Sequence, residues 1–460
     1  MEARSEFLAA CAGMYDAFDP LTTATLTFME LAEQALQAGL KMGRMLLKDR
    51  LEGDSRANPA EAPACTGCQK SLRIQDPAQQ RTLQTMLGEV EYRRAYCVCD
   101  RCGATRVPLD EGLGIPATGP SIDALHKICH ASVATRSFEG GSRVLKVQAG
   151  LEVPRKRIRH WAEKEGKNLV ENRAEDVQRY QAGKSPDSTE IPALLVITAD
   201  GGRVQTRQPT KDDRWKENKI GVIYDALVQP GGSATGDYEG AKAQTKTFVA
   251  TMEPWEKMGW MLRVEAEKRG YARARERLFL GDGATGVRAV KDLQFPETIF
   301  ILDWAHATEH LNQSGKAAFG EGTQKARRWY ERYEDHLWEG HLDTIIKELD
   351  RLSRELGPPR PDDNEFSPRK ILDRNAHSYF PNNKEAMNYP LFRSKGWPIG
   401  SGVVEGAVKQ FALRLKGSEK FWNVSNTGAE EMLALCALYL SEDGRWERHW
   451  RDRAQPYQRK

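Results

Sequence analysis

Residues 396–422 read GWPIGSGVVEGAVKQFALRLKGSEKFW and supply the helix on which the interpretation of the chain rests. A Pro- and Gly-rich turn breaks the preceding chain, and Ser401 or Gly402 can cap a new helix. Val404 and the apolar residues after it recur at helical spacing, which predicts a buried helix face. Glu405 falls in the first turn. Taken alone, such a residue is more often an acid favoured by the helix dipole.

Two upstream acids change that interpretation. Asp200 ends the apolar run LLVITAD, Asp282 ends RLFLGD, and glycine follows each. An Asp-Gly pair by itself is a common turn signal. If the first and fourth strands of a sheet are neighbours, however, the two carboxylates lie close together. A helix that carries Glu405 then adds the third carboxylate to the site. Three carboxylates are costly to gather unless divalent cations neutralise them, so the pattern predicts a Mg²⁺ site for phosphoryl transfer.

Length and composition set the limits. The chain has 460 residues, too long for one ordinary core, so we expect two to four structural units. With 68 basic and 65 acidic side chains the net charge is only +3, so any nucleic-acid surface must be local. The sequence has no apolar run of membrane-spanning length and no signal-peptide core, which predicts a cytoplasmic protein whose eight cysteines are not a disulfide framework.

Two CxxC pairs predict a structural zinc site. Cys65 and Cys68 form the first pair, and Cys99 and Cys102 form the second, about thirty residues later. Each turn presents two thiolates, and four complete a tetrahedral site. The residues between the pairs alternate enough to be the strands of a zinc ribbon. Reduced buried thiols or a redox pair are the alternatives, and Cys97 is interpreted as buried.

Residues 142–165 predict a helix-turn-helix. An apolar first helix ends at Gly150, and Pro154 opens a second helix whose first turns are basic. The candidate DNA-contacting residues there are Arg155, Lys156, Arg157 and Arg159. An ordinary helical hairpin with a solvated basic face is the alternative.

The remaining segments predict an α/β multidomain protein. Three hairpin-like strands followed by two strand–helix units, over residues 186–310, describe a mixed sheet with helices. In LLVITADGGRVQTR we expect a strand, a Gly-Gly turn and a second strand. The predicted regions are a helical region and linker (1–60, with a helix over 22–51 and a linker over 52–64), a zinc ribbon (61–115), a helical DNA-binding region (116–185), the sheet (186–310), a helical insertion (311–385), the Glu405 segment (386–425), and a helix with a charged tail (426–460).

Four motifs carry a resemblance to a known family. TADGGRV, FLGDGATGV, ILDWAHATEHL and PIGSGVVEGAVKQ, in that order, resemble the DDE-class bacterial insertion-sequence transposases, most closely the ISKra-type group. The resemblance covers most of the chain from the first CxxC pair onward. It implies an RNase H-like catalytic domain with a helical insertion between the second Asp and the Glu.

The resemblance also implies roles for individual residues. Asp200, Asp282 and Glu405 match the catalytic triad that holds two Mg²⁺ or Mn²⁺ ions. Asp303 and His306 match a supporting acidic-x-x-His motif. Trp422 would lie near a frayed DNA end, although core packing is as plausible for this indole. We interpret three basic residues of the Glu405 segment as further DNA contacts, namely Lys409, Arg414 and Lys416.

Together these features predict a DNA transposase, nucleoid-associated when bound to DNA. It would bind terminal inverted repeats, cleave strands and transfer them to target DNA, with structural Zn²⁺ and catalytic Mg²⁺. Two transposon ends must be held together, so we expect a homodimer or a larger homo-oligomer. Two alternatives stay open. One is a catalytically silent, domesticated transposase that only binds DNA, which the presence of all three acids disfavours. The other is a structure-specific nuclease.

Overall fold

The structure, a computed structural model, describes residues 2–208, 210–228, 238 and 240–455. The chain forms two compact units. Unit 1 is Met1–Ala162 with Gly444–Lys460, and unit 2 is Glu163–Asp443. A mixed α/β fold with many helices is confirmed, while the finer division into seven regions stays a prediction. Within the described residues, no helix is long and apolar enough to cross a membrane.

The elements alternate along the chain in the order expected for a multidomain α/β protein. The strands are β1 Arg73–Thr85, β2 Gly88–Val98, β3 Thr105–Arg106, β4 Leu194–Gln205, β5 Trp215–Leu227, β6 Lys242–Thr251, β7 Glu276–Gly281 and β8 Ile299–Leu302. The α-helices are α1 Glu2–Asp16, α2 Pro20–Thr23, α3 Phe28–Glu52, α4 Pro108–Gly112, α5 Ile122–Ala134, α6 Phe138–Ala149, α7 Arg155–Gln181, α8 Lys211–Arg214, α9 Trp255–Lys268, α10 Thr285–Gln294, α11 Trp304–Phe319, α12 Gln324–Trp338, α13 Leu342–Leu356, α14 Pro368–Arg374, α15 Phe380–Asn382, α16 Tyr389–Ser394, α17 Gly402–Leu415, α18 Thr427–Leu440 and α19 Arg445–Arg453.

In unit 1, the predicted N-terminal helix is present as α3 and packs against β2. Thr27 and Glu30 form a capping box that fixes its start. The linker predicted over 52–64 is wrong at its beginning, because Ala57 is buried with Leu51 in the core beside β2 and accepts a backbone hydrogen bond from Ala95 at 2.7 Å. This segment is therefore part of the packed unit.

In unit 2, five strands form a mixed sheet in the order β6-β5-β4-β7-β8. β4, β7 and β8 run parallel, while β5 is antiparallel to both of its neighbours. In chain order β4 is the first strand of this sheet and β7 is the fourth, and the two are adjacent, which meets the condition on which the predicted carboxylate site depends. The expected turn at Gly201 and Gly202 is wrong, because β4 continues through both residues and pairs with β5 as far as Gln205.

Helices complete both units. α9, α17 and α18 pack against the sheet of unit 2, and residues 311–385, where a helical insertion is predicted, contain α12, α13 and α14. The charged tail predicted after residue 440 contains a further helix, α19. Trp446 and Trp450 are buried because α19 packs against α5 within unit 1.

Candidate functional site

Asp200 and Asp282 occupy matching positions on adjacent parallel strands. Thr198 of β4 pairs with Leu280 of β7, and each acid lies two residues further along its strand direction. Neighbouring strands are about 4.8 Å apart, and side chains two residues apart share a face. The two carboxylates therefore lie side by side at the edge of the sheet where β7 and β8 end, and both residues are half-buried.

Asp303 extends this row by one strand and ties it to the Glu405 helix. Gly281 pairs with Leu302, so Asp303 follows β8 at the level of Asp282. The side chain of Asp303 caps α11 by accepting from the amide of His306 at 2.8 Å. Its other oxygen accepts from the amide of Ser401, the residue that precedes α17. The start of α17 is thereby held against the start of α11.

Glu405 faces the same edge from the first turn of α17. The hydroxyl of Ser401 donates to Glu405 Oε1 at 2.9 Å. Ser401 is the N-cap residue of α17, as the sequence predicts. Its hydroxyl, however, donates to the Glu405 carboxylate and accepts no hydrogen bond from a helix amide. A second link, from the amide of Trp304 to the carbonyl of Ile399 at 2.8 Å, fixes the turn before it.

The charges of these groups shift one another's pKa values. Burial raises the pKa of Asp200, and the charges of Asp282 and Glu405 raise it further. The hydrogen bond to Asp303 raises the pKa of His306 to about 9, with help from Asp282 and Asp200. Burial alone would raise the pKa of Asp303, but hydrogen bonds from His306 and Ser401 outweigh it, so this pKa is lowered. His306 therefore carries a positive charge beside a negative cluster at neutral pH.

The carboxylate oxygens of Asp200, Asp282 and Glu405 are not gathered tightly enough to form one metal-ligating group. Among the described residues, two groups offer ligand atoms that all lie within 4.8 Å of one another, and neither group is the triad of Asp200, Asp282 and Glu405. Separate hydrogen bonds hold Asp200 and Asp282, from the amide of Gly201 at 2.6 Å and from the amide of Ala284 at 2.9 Å. Like charges repel, which opposes a closer approach of the three carboxylates.

The structure corrects the basic residues proposed near this site. Lys409 and Lys416 are exposed, as expected for DNA contacts. Arg414 is only 4% exposed, and burial lowers its pKa, so its assignment to an exposed DNA-contacting face is wrong. Trp422 is also buried, and its indole donates to the carbonyl of Leu415 at 2.9 Å. Trp422 therefore packs between the ends of β4 and α17, the alternative that the sequence left open.

In unit 1, the four predicted cysteines form one cluster. Their sulfur atoms all lie within 4.8 Å, and the Cys65–Cys102 and Cys68–Cys99 pairs are each 3.5 Å apart. Tetrahedral zinc with bonds of about 2.3 Å places its sulfur ligands about 3.8 Å apart. The cluster can therefore bind zinc. Cys97, in contrast, is buried among apolar neighbours, and burial raises its pKa.

The two CxxC turns have the same backbone geometry. The amide of Cys65 donates to the carbonyl of Lys70 at 2.6 Å, and the amide of Cys99 donates to that of Ala104 at 2.8 Å. A residue with positive φ follows the second cysteine of each turn, Gln69 at 60° and Gly103 at 71°. Backbone amides point at the sulfurs and lower the pKa of Cys65 and that of Cys99, the latter to about 6. The sulfur–sulfur contacts outweigh the backbone amides at the second cysteine of each turn, so the pKa of Cys68 is raised and that of Cys102 is raised to about 11. Each turn thus favours a thiolate at its first cysteine.

The predicted helix pair is present as α6 and α7. Gly150 ends α6 in the left-handed conformation at φ 62°, and the amide of Leu151 closes the turn on the carbonyl of Leu145 at 3.1 Å. Ile158 is fully buried in the core of this region. The four basic residues predicted on the second helix are all exposed, namely Arg155, Lys156, Arg157 and Arg159.

Comparisons with known proteins establish the family. The Uncharacterised protein family (UPF0236) matches residues 21–454. The chain belongs to this family. Among solved structures, it is similar to the Drosophila P element transposase strand transfer complex, with a TM-score of 0.32 and 10% identity over 70% of this chain and 93% of that chain. A search of curated proteins finds no match.

One further residue of this UPF0236 member, which sequence reasoning misses, has a pKa that depends on the charges of Asp282 and Asp303. Tyr379 ends a π-helical turn, Asn375–Tyr379, and stacks on His310 with ring centroids 3.6 Å apart. Burial raises the pKa of Tyr379, as do the charges of Asp282 and Asp303. Its hydroxyl oxygen is buried and makes no hydrogen bond with any described residue. Such turns are frequent at functional sites, but a tyrosine in a charged helical segment gives no sequence signal.

Proposed function

We propose that this protein is a DNA transposase of the DDE class with an RNase H-like catalytic domain. The observation that carries the proposal is the matched placement of Asp200 and Asp282 on adjacent parallel strands, with Glu405 facing them from α17. The strand order of unit 2, with one antiparallel hairpin extending three parallel strands, supports the RNase H-like assignment. The four motifs support a place in the ISKra-type group.

The chemistry of the donor set fits Mg²⁺ or Mn²⁺. Asp200, Asp282 and Glu405 offer only oxygen ligands, which hard divalent ions prefer. Burial raises the pKa of Asp200, the charges of Asp282 and Glu405 raise it further, and a bound cation would favour the ionised carboxylate against all three. When bound, two such ions supply Lewis-acid activation of the attacking oxygen and stabilisation of the leaving oxygen in an in-line phosphoryl transfer.

The surrounding residues would orient the DNA and the carboxylates. Nδ1–H of the charged His306 donates to Asp303, which leaves Nε2–H to donate to a phosphate oxygen of the DNA. Ser401 fixes the rotamer of Glu405. The phenol of Tyr379, which has no partner among the described residues, would donate to a substrate oxygen or a bound water. Trp422 supports the site by packing between β4 and α17.

Unit 1 would recognise the DNA. The four cysteines would hold structural Zn²⁺, and the exposed basic residues at the start of α7 would contact the terminal inverted repeats. Lys409 and Lys416 would contact DNA near the carboxylates. Because two ends must be joined in one event, the active species would be a homodimer or a larger homo-oligomer.

A cleavage assay with matched variants tests the proposal. Labelled DNA carrying the ends of the element that encodes the protein is incubated with the full chain and Mg²⁺. Asp282→Asn and Glu405→Gln should abolish nicking, because both keep their hydrogen bonds but lose charge. Asp292→Asn is the control, because this exposed acid lies on α10 and pairs with Arg288.

The products separate the alternatives. Nicks at the repeat end, followed by joined products, support a transposase. Cleavage without joining favours the structure-specific nuclease, and specific binding without cleavage favours the silent DNA-binding protein. Cleavage that survives both Asp282→Asn and Glu405→Gln overturns the assignment of the site.

A further inference from the structure

A turn between two helices of unit 2 brings together two imidazoles and a carboxylate that belong to neither of the sites described above. His336 lies in the last turn of α12, Glu339 caps its C-terminus, and His341 precedes α13. Nδ1 of His336 and Nδ1 of His341 are 3.3 Å apart. Nδ1 of His341 lies 3.2 Å from Oε2 of Glu339, and the three groups offer ligand atoms that all lie within 4.8 Å of one another.

Hydrogen bonding alone accounts poorly for this arrangement. A ring nitrogen has one in-plane position, which holds either a proton or a lone pair. Nδ1 of His341 therefore cannot make a full hydrogen bond to Glu339 and to His336 at once. A metal ion can accept lone pairs from all three groups. Tetrahedral zinc with bonds of about 2.0–2.1 Å places its ligand atoms about 3.3–3.4 Å apart, close to the two observed separations.

The backbone of the turn is fixed without any ligand. The amide of His341 donates to the carbonyl of His336 at 2.8 Å. Gly340 has a φ of 81°, and a Cβ there would lie 2.9 Å from a ring carbon of Pro390, so the turn is packed tightly. Leu337 and Leu342 are buried on either side and anchor it. The ligand side chains are thus presented from a rigid support, which lowers the entropy cost of binding.

We propose that His336, Glu339 and His341 bind a divalent transition-metal ion, most readily Zn²⁺. Two imidazoles and one carboxylate suit zinc and its neighbours in the first transition series, whereas Mg²⁺ prefers oxygen ligands alone. Glu339 and His341 are exposed, which gives the ion access and leaves a coordination position for water. The ion would join the end of α12 to the start of α13.

The test compares the zinc capacity of full-length variants that all keep the four cysteines and the carboxylate triad. Chelator-treated wild type, His341→Gln and Glu339→Gln are titrated with Zn²⁺ by calorimetry. Wild type should take up one more zinc per chain than either variant, or bind it more than about tenfold more tightly, since even outer-shell changes cost about 10–100-fold. His377→Gln is the matched control, because His377 is another exposed histidine of this helical segment that contacts two carboxylates.

A Co²⁺ titration identifies which ligands change. The thiolate-to-Co²⁺ charge-transfer bands measure Co²⁺ bound at the cysteine cluster, and their intensity should be equal in all variants. The absorption bands of Co²⁺ bound by nitrogen and oxygen ligands should weaken only in His341→Gln and Glu339→Gln. Equal stoichiometry and affinity in wild type and both variants would overturn the proposal, as would an equal loss in His377→Gln. Glu339 and His341 are exposed, so circular dichroism should show folded variants.

Discussion

Nδ1 of His306 lies 3.1 Å from Oδ1 of Asp303, a carboxylate with no solvent exposure that also accepts from the amide of Ser401. This pair explains why the imidazole is charged at neutral pH, since its pKa is raised to about 9. It also explains how the sheet edge is coupled to the Glu405 helix, because Ser401 in turn donates to Glu405.

Asp303→Asn should lower the pKa of His306 from about 9 toward its ordinary value near 6.5, because the largest cause of the shift is lost. The measurement is an NMR titration of the imidazole carbon-bound protons. Asp292→Asn, which changes an exposed acid of α10, should leave that titration unchanged. A His306 that still titrates near 9 in Asp303→Asn would mean that Asp282 and Asp200 dominate its charge.

Tyr379→Phe should slow DNA cleavage without lowering stability. The buried phenol oxygen has no hydrogen-bond partner among the described residues, so its removal costs no protein contact and can stabilise by about 1 kcal/mol. In the proposed mechanism the same oxygen donates a hydrogen bond to the substrate or to a bound water. A hydrogen bond to a charged group is worth about 1.5–3 kcal/mol, so its loss should reduce the rate about tenfold to a hundredfold. Cleavage rates and thermal melting are measured together.

The control for Tyr379 is Tyr330→Phe. Tyr330 belongs to α12 of the same helical segment, and its hydroxyl donates to Glu334 at 2.6 Å. This variant should cleave at the wild-type rate. If Tyr379→Phe also cleaves at that rate, the phenol has only a packing role against His310.

The side-by-side placement of the two aspartates can be predicted from sequence, and the physical reason is simple. Apolar runs that end in Asp200 and Asp282 predict buried strands, and the order of the strands then leaves few alternatives. The conformation of the two glycines after Asp200 is harder to predict from sequence. A Cβ on Gly201 would lie 2.9 Å from Glu217 Oε1 and one on Gly202 would lie 2.8 Å from Asn218 Oδ1. These glycines permit close side-chain approach within a strand, which a sequence cannot distinguish from a turn.

Charged residues at helical spacing caused two further errors. Arg414 lies on the same helix face as the buried Ala407 and Phe411, so the spacing does place it at a buried position. Burial of a charge is costly, however, and for that reason a sequence-based interpretation places the arginine on the exposed face. Trp446 and Trp450 are likewise one turn apart on one face of α19, within a segment whose charge suggests a solvated tail.

Cys99→Ser should abolish zinc binding at the cysteine cluster, whereas Cys97→Ala should not. The sulfur of Cys99 lies 3.5 Å from that of Cys68, but Cys97 packs against apolar neighbours such as Leu72. Loss of the small buried side chain in Cys97→Ala should cost about 1 kcal/mol. Zinc content and chelator-dependent melting of both variants are compared with wild type. Zinc loss in Cys97→Ala at an unchanged fold would show that the ligand set is misassigned.

The stability of unit 1 should fall in mild acid because of His126. The indole of Trp446 donates to Nε2 of His126 at 3.0 Å, so that nitrogen must be unprotonated, and the ring stacks on Trp450. Burial lowers the pKa of His126, and the neighbouring charges of His130, His449 and Lys127 lower it further, while that of Glu447 opposes them.

The sign of the pH effect follows from proton uptake. Below the unfolded pKa near 6.5, the unfolded chain binds a proton that the folded chain does not, so stability declines as the pH falls from there through the lowered pKa. The slope from this group is at most about 1.4 kcal/mol per pH unit. His126→Phe keeps an aromatic ring against Trp450 but cannot titrate, so tryptophan-fluorescence melts between pH 7 and pH 5 should show a shallower decline than wild type. His160→Gln, at an exposed histidine of the same unit, should keep the wild-type slope. Equal slopes in wild type and His126→Phe would assign the acid sensitivity to other groups.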